Sequence, residues 1–293
     1  MAYPYRPVCS QTFSERRKEP GSTQYAMIAS RGCLYKCNYC VSGNLKDTHI
    51  PFRKRTFDNI INEMIFLKEN YKASNIIFYD DLFFSDYFKI NDEVYAFCSS
   101  LQKKNVKMTW QIEMRPDFFT RLSEHSITML YNTGCTQINI GVEKMSEKGL
   151  SFLGKSGNVL GLTERMNYAK KVGIRLSATF ILGGKDEKED DVKHIVEYAK
   201  SLPLSFAQFN PLFIYPGTPL YEEIYSTPDA WVKDVLESGL PWGEIVYENE
   251  YLKTNDLLYL VEYAYSEFYK DTPYSSESMI KDRFNLSLRV KEK

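Results

Sequence analysis

Apolar residues recur along the chain in two alternating rhythms. Tyr25–Ala29, Asn75–Tyr79, Lys107–Ile112, Gln137–Gly141, Arg175–Leu182 and Phe206–Phe213 are short apolar or alternating runs, the pattern of strands. Between them, Phe57–Glu69, Asn91–Lys104, Ser123–Asn132, Thr163–Val172 and Lys188–Ser201 place apolar residues at helical spacing. Gly134 and Gly173 each follow a helical run, where glycine commonly ends a helix. After a longer first unit, strands return every thirty to forty residues or so. A repeated βα unit predicts a parallel sheet with right-handed crossovers. Six such units fit an α/β fold, an open six-stranded (βα)6 partial TIM barrel; a doubly wound open sheet has the same periodicity. Either architecture gathers functional groups at the carboxyl ends of the strands. Residues 1–24, rich in Pro, Ser and charge, read as an irregular leader, and residues 25–221 as the barrel. Residues 222–293 hold short helical patterns with many aromatics, expected as a helical C-terminal cap packed on the barrel.

Composition narrows the partners. The 293 residues carry 37 Lys and Arg against 38 Asp and Glu, a formal net charge of −1. No global field draws such a chain to nucleic acid or to an anionic membrane. No apolar run is long enough for a membrane span, and the polar N-terminus lacks a signal-peptide core, so the expected location is cytoplasmic. The cysteines are Cys9, Cys33, Cys37, Cys40, Cys98 and Cys135. The tight triplet and the chain length favour a reduced cytosolic protein over a disulfide framework. Cys98 and Cys135 are expected as packed thiols.

The triplet lies in Arg31-Gly32-Cys33-Leu34-Tyr35-Lys36-Cys37-Asn38-Tyr39-Cys40. Its spacing of i, i+4 and i+7 allows three readings. On a helix the three would share one face and pack as small hydrophobes. With His49 as a fourth ligand they would hold zinc in a stabilised binding module. As three thiolates they would hold three irons of a four-iron cluster and leave the fourth open. Glycine precedes the first cysteine, the apolar run precedes that, and aromatic Tyr39 precedes the third. The loop resembles the radical S-adenosylmethionine (SAM) superfamily, whose motif is Cys-x3-Cys-x-aromatic-Cys after the first barrel strand. The resemblance implies a [4Fe-4S] cluster on Cys33, Cys37 and Cys40, with SAM completing the open iron.

Polar positions at the strand ends extend the pattern. Strand two ends in Asp80-Asp81, a loop or helix-cap pair in one reading. In the family a short motif at this point, often Gly-Gly-Glu, receives the ammonium of SAM; here Asp80, Asp81 or a backbone carbonyl takes that task. In strand three, alternation puts Gln111, Glu113 and Arg115 on one face, as a polar stripe for SAM or substrate or as a structural Glu113–Arg115 pair. Strand four ends in Gly141-Val142-Glu143, followed by Leu153-Gly154-Lys155. A carboxylate can accept two ribose hydroxyls, and the family likeness assigns Glu143 to ribose and Lys155 to the methionine carboxylate. Tyr39, Ser177 and Thr179 complete the SAM-facing candidates. Gln208, Asn210 and Tyr215 are weaker candidates for substrate. The stretch Ala207–Tyr221, with its Pro216-Gly217-Thr218-Pro219 turn, resembles the superfamily branch that often carries a cobalamin-binding domain ahead of the barrel. The few residues before strand one lead us to expect none here.

What the resemblance implies is reductive cleavage of SAM to a 5′-deoxyadenosyl radical that takes hydrogen from a small-molecule substrate in a biosynthetic pathway. Dehydrogenation, epimerisation, deoxygenation and rearrangement all fit. Cobalamin-dependent methyl transfer and RNA modification are the alternatives within the superfamily. The basic run Arg53-Lys54-Arg55 is either a solvated surface or a dock for an acidic donor such as flavodoxin or ferredoxin.

Overall fold

The computed structural model describes residues 23–44, 52–155, 160–225, 227–238 and 245–272. The leader up to residue 22, with Cys9, and His49 lie outside these residues. Six strands form one sheet in chain order: β1 (Gln24–Met27), β2 (Asn75–Phe78), β3 (Thr109–Met114), β4 (Cys135–Glu143), β5 (Arg175–Leu182) and β6 (Phe206–Pro211). The α/β architecture with an open parallel sheet is therefore as the periodicity predicts. The chain divides into two compact units and passes between them more than once, after Leu34, after Ile140 within β4 and after Leu176 within β5.

The first unit contains β1 to β3, most of β4, and the helices α1 (Phe57–Tyr71), α2 (Ile90–Lys103), α3 (Pro116–Arg121), α4 (Glu124–Asn132) and α6 (Leu162–Val172). Its strands pair in parallel, with Met27 opposite Phe78, Ile77 opposite Gln111 and Glu113 opposite Asn139. Thr56 and Ser123 cap α1 and α4 by accepting from Asn59 N and Ser126 N. Trp110, Ile112 and Met114 are buried, while Gln111 and Glu113 point the other way. Phe78, Phe83, Phe97 and Trp110 meet with tilted or edge-to-face rings, and Trp110 Nε1 donates to Thr133 O at 2.8 Å. Cys98 and Cys135 are buried, as packed thiols should be. Burial pushes the Cys98 thiol up to about 11 and raises Cys135 as well, which keeps both unreactive.

Strand three differs from its expected course. It ends at Met114, because Pro116 opens α3 and holds Arg115 in the extended conformation of a helix N-cap. Arg115 therefore leaves the strand alternation that Gln111 and Glu113 follow.

The second unit contains the loop from Tyr35, the end of β4, α5 (Glu147–Phe152), β5 from Ser177, β6, α7 (Glu189–Ser201), α8 (Pro219–Ile224), α9 (Pro228–Ser238) and α10 (Thr254–Tyr269). Phe180 and Phe209 stack at 5.4 Å, and Tyr265 packs edge-on to Phe209 at 5.6 Å. The chain leaves the sheet after Pro211, and Phe213–Ile214 pairs instead with Ile245–Val246 in an antiparallel bridge. α10 lies along β6 and serves its backbone. Tyr269 Oη accepts from Ala207 N and donates to Ala207 O, both at 2.9 Å, and Tyr265 Oη accepts from Phe209 N at 3.3 Å. A strand edge bonded in this way is not left open to pairing with another chain. Tyr269→Phe removes the partner of two buried backbone groups, and a loss of about 1–3 kcal/mol in urea unfolding is expected. An unchanged midpoint would mean that water serves Ala207 equally well.

Candidate active site

The cysteine-bearing excursion starts and ends on a two-stranded ribbon in the first unit. Ser30 pairs with Lys54 and Arg31 with Arg53, antiparallel. Beside it, Asp80 is buried. Its carboxylate accepts from Ala29 N at 2.9 Å, from Ser30 N, and from Ser30 Oγ at 2.8 Å. Burial raises the Asp80 pKa, and these hydrogen bonds work against that rise. Asp81 is exposed.

The basic run next to the ribbon is largely committed inward. Lys54 pairs with Glu93 and lies over the Phe57 ring at 5.0 Å. Arg55 pairs with buried Glu63 at 2.7 Å and donates to Ile28 O at 2.8 Å. Arg53 is exposed. The run is thus neither wholly solvated nor a free patch of three cations.

In the second unit, two asparagines shape the loop. The Asn44 amide donates to Cys37 O at 2.6 Å and to Cys40 O at 2.9 Å. Asn38, between Cys37 and Tyr39, joins three segments. Its backbone N donates to Leu153 O at 2.8 Å, its side-chain amide donates to Phe152 O at 3.0 Å, and its carbonyl accepts from Leu220 N at 3.0 Å. The end of α5 and the start of α8 are therefore fastened to the cysteine loop. Gly154 is left-handed at φ 61°, and a Cβ there would come within 2.5 Å of Asn38 Oδ1. Both distant motifs singled out in the sequence, Leu153-Gly154-Lys155 and the Pro-Gly-Thr-Pro turn, converge on this one residue.

Tyr39 reaches the end of β4. Its hydroxyl is hydrogen-bonded to Glu143, and burial first, then the charges of Glu143, Cys37 and Cys40, push its pKa well above the usual tyrosine value. Glu143 is buried against Lys155, with Lys155 Nζ 3.0 Å from Oε1 and donating to Gly141 O at 2.6 Å. A Cβ at Gly141 would lie 2.6 Å from Glu143 Oε1, so the pair needs glycine there. Glu143 itself adopts a left-handed backbone at φ 66°, uncommon without glycine. The turn sends the next side chain elsewhere. Lys144, buried, donates to Gly183 O at 2.7 Å and pairs with Glu187 at 2.6 Å, and burial lowers its pKa.

The remaining candidates separate. In the first unit, Gln111 and Glu113 share a sheet face with Gln137 and Asn139, two polar residues that strand-end reasoning passes over. Arg115 forms a buried two-pronged pair with Asp117, Nε to Oδ1 and Nη2 to Oδ2 both at 3.0 Å. In the second unit Ser177 is buried, Thr179 Oγ1 lies 3.5 Å from Gln208 Oε1, Asn210 follows on the Gln208 face, and Tyr215 packs near Phe213. Asn38, Asn44 and Lys144 also escape the sequence reading. Polar side chains inside a cysteine loop, and a lysine directly after the strand-four glutamate, are the signals that mark them.

The donor set fits a cluster. Among the described residues no three His, Cys, Asp or Glu side chains converge as one metal ion requires. A four-iron cluster takes each thiolate on its own iron, and Cys33, Cys37 and Cys40 offer three on one loop. Cys37 and Cys40 both act electrostatically on the Tyr39 hydroxyl, so these two thiols adjoin the Glu143 assembly.

Residues 27–199 match the radical SAM superfamily. The chain belongs to that superfamily. Membership brings the [4Fe-4S] cluster and SAM as cofactors and makes the protein an enzyme. The chain is 27% identical over 212 residues to an uncharacterized methyltransferase of Pyrococcus horikoshii, covering 71% of this chain and 43% of that protein. It is 22% identical over 218 residues to bacteriochlorophyllide d C-12(1)-methyltransferase of Chlorobaculum tepidum, covering 72% and 46%. It spans less than half the length of either relative. In fold it resembles the radical S-adenosylmethionine methyltransferase TsrM of Kitasatospora setae, with TM-score 0.58 and 19% identity over 70% of this chain and 39% of that one. No helix among the described residues is long and apolar enough to cross a membrane.

Proposed function

We propose that the chain is the radical SAM part of a methyltransferase that works with a corrinoid on a small-molecule substrate in the cytoplasm. One observation carries this reading: two sequence relatives that match about seven tenths of the chain are both named methyltransferases. The likeness of Ala207–Tyr221 to the cobalamin-associated branch supports the corrinoid. Hydrogen-atom abstraction without methyl transfer, the first expectation from the sequence, becomes the second reading.

When bound, the cluster supplies a single electron and an open iron for the amino and carboxylate groups of SAM. The chain's own residues bind and orient. In this reading Glu143 accepts the ribose hydroxyls, Lys155 holds the methionine carboxylate, and Tyr39 steadies Glu143 beside the thiolates. Asp81 or a backbone carbonyl at the end of β2 receives the ammonium. Gln111, Glu113, Ser177 and Thr179 offer further polar contacts to SAM, and Gln208, Asn210 and Tyr215 to substrate. Residues 25–221 act as the barrel and residues 222–293 as its cap. Flavodoxin or ferredoxin is the proposed electron donor. With Lys54 and Arg55 already paired, Arg53 is the remaining exposed cation of that run for it. Nucleic acid is not a proposed partner, in keeping with the near-zero net charge.

The test is anaerobic. Protein reconstituted with iron and sulfide is given SAM and a strong reductant, with and without hydroxocobalamin. S-adenosylhomocysteine that forms only with the corrinoid is the expected result. 5′-Deoxyadenosine alone, indifferent to the corrinoid, would favour the hydrogen-abstraction reading.

A further inference from the structure

We propose that Asp80 is a positioning residue for the cluster, fixing the base from which Cys33 departs, and that it is not a ligand of SAM. The two carboxylates at the end of β2 face different surroundings. Tyr79 still belongs to the ladder, donating from its N to Met27 O at 3.0 Å. Asp80 then turns inward and is 3% exposed, while Asp81 is exposed.

Among the described residues, the hydrogen bonds to Asp80 come from residues just ahead of the first cysteine. Oδ1 accepts from Ala29 N, Ser30 N and Ser30 Oγ, and Oδ2 lies 3.1 Å from Ala29 N. The Ser30 hydroxyl also lies 3.0 Å from Leu82 O, which ties it to the same turn. Ala29 and Ser30 are themselves buried, so water has no access to replace the carboxylate. The same two residues are held from the other side. Ala29 O accepts from Arg55 N at 2.8 Å, and Ser30 pairs with Lys54 on the returning strand. The dipeptide is thus clamped between β2 and the far end of the excursion. Cys33 follows three residues later, with only Arg31 and Gly32 between it and Ser30. A displacement of this base moves the Cys33 thiolate, and outer-shell partners of metal ligands are costly to lose.

The assignment separates two tasks that adjacent carboxylates could share. Asp80 is shut away from solvent among three buried protein donors, whereas the neighbouring Asp81 is exposed. Asp80 therefore holds the loop, and the SAM ammonium is left to another acceptor.

The test measures the cluster before any SAM is added. Asp80→Ala, Asp80→Asn, Ser30→Ala and the Asp80→Ala/Ser30→Ala double variant are reconstituted anaerobically. Each is followed for iron release to a chelator, the electron paramagnetic resonance of the reduced cluster, SAM affinity and the melting temperature of the apoprotein. The expected result for Asp80→Ala is iron release faster by roughly tenfold or more, with an altered resonance in the absence of SAM. Ser30→Ala should move the same two readouts less, and the double variant should barely exceed Asp80→Ala. Asp80→Asn, which keeps one acceptor oxygen, should lie between; with Ser30→Ala it carries the test if Asp80→Ala does not fold. A lowered melting temperature with normal iron release and normal resonance would overturn the proposal, leaving a carboxylate that serves the fold alone. An intact SAM-free cluster with a large loss of SAM affinity in Asp80→Asn would overturn it in favour of a direct ligand.

Discussion

Gly43→Ala is expected to leave a folded barrel that takes up about a tenth or less of the wild-type iron. Gly43 follows the third cysteine by three residues, and a Cβ there would run into the Tyr35 carbonyl, 2.8 Å from its carbon and closer still to its oxygen. Both sides of this contact are backbone, so no side chain can rotate away to relieve it. The loop must open, and Asn44 moves with it. The Asn44 amide then loses Cys37 O and Cys40 O, the two bonds that hold those cysteines in their turn. The barrel strands take no part in this contact, so the urea midpoint of the apoprotein should hardly change. Iron and sulfide per chain after reconstitution decide the matter. A full complement of both would show that the loop tolerates opening and that Asn44 is dispensable.

Lys155→Met should be the most damaging single change at the end of β4, costing roughly 3–5 kcal/mol, because it leaves Glu143 buried without its cation. Lys155 and Glu143 are both more than nine-tenths buried, and Lys155 also serves Gly141 O. Tyr39 remains as a hydrogen-bond partner of Glu143, yet a neutral phenol does not balance a charge. Adding Glu143→Gln to Lys155→Met should recover part of the loss, since the stranded charge goes with it. Urea unfolding of the four proteins in this cycle gives the coupling directly. A Lys155→Met loss below about 1 kcal/mol would mean that water or a rearranged side chain reaches Glu143, as at an exposed pair.

The order of strands and helices was legible because both signals, the apolar rhythm and the glycine after α6, are local. Arg175–Leu182 even has its full extent. Boundaries failed where a neighbouring residue overrode the rhythm. β3 runs to Met114, two residues past its expected end, before Pro116 carries Arg115 away from Gln111 and Glu113, and Pro211 closes β6 before Phe213. Short α3 and α5 were missed because six residues give too little helical period to detect. In the candidate site, spacing and family likeness singled out the cysteines, Glu143 and Lys155, and the structure pairs Glu143 with Lys155. Asn38 was not singled out, because its bonds reach backbone groups as far away as Phe152 and Leu220, nor was Asn44, whose bonds to Cys37 O and Cys40 O depend on how the loop turns. Asp80 and Asp81 look alike in sequence; only burial tells them apart.

The tyrosine pair on α10 has a kinetic corollary. The amide protons of Ala207 and Phe209 are held by phenol oxygens from a separate helix. Their exchange with deuterium therefore follows the undocking of α10 and not the fraying of the sheet. Two alternate amides on one strand act as a clock for the departure of that helix, and binding events that tighten or loosen it would be read there without any label near the cluster.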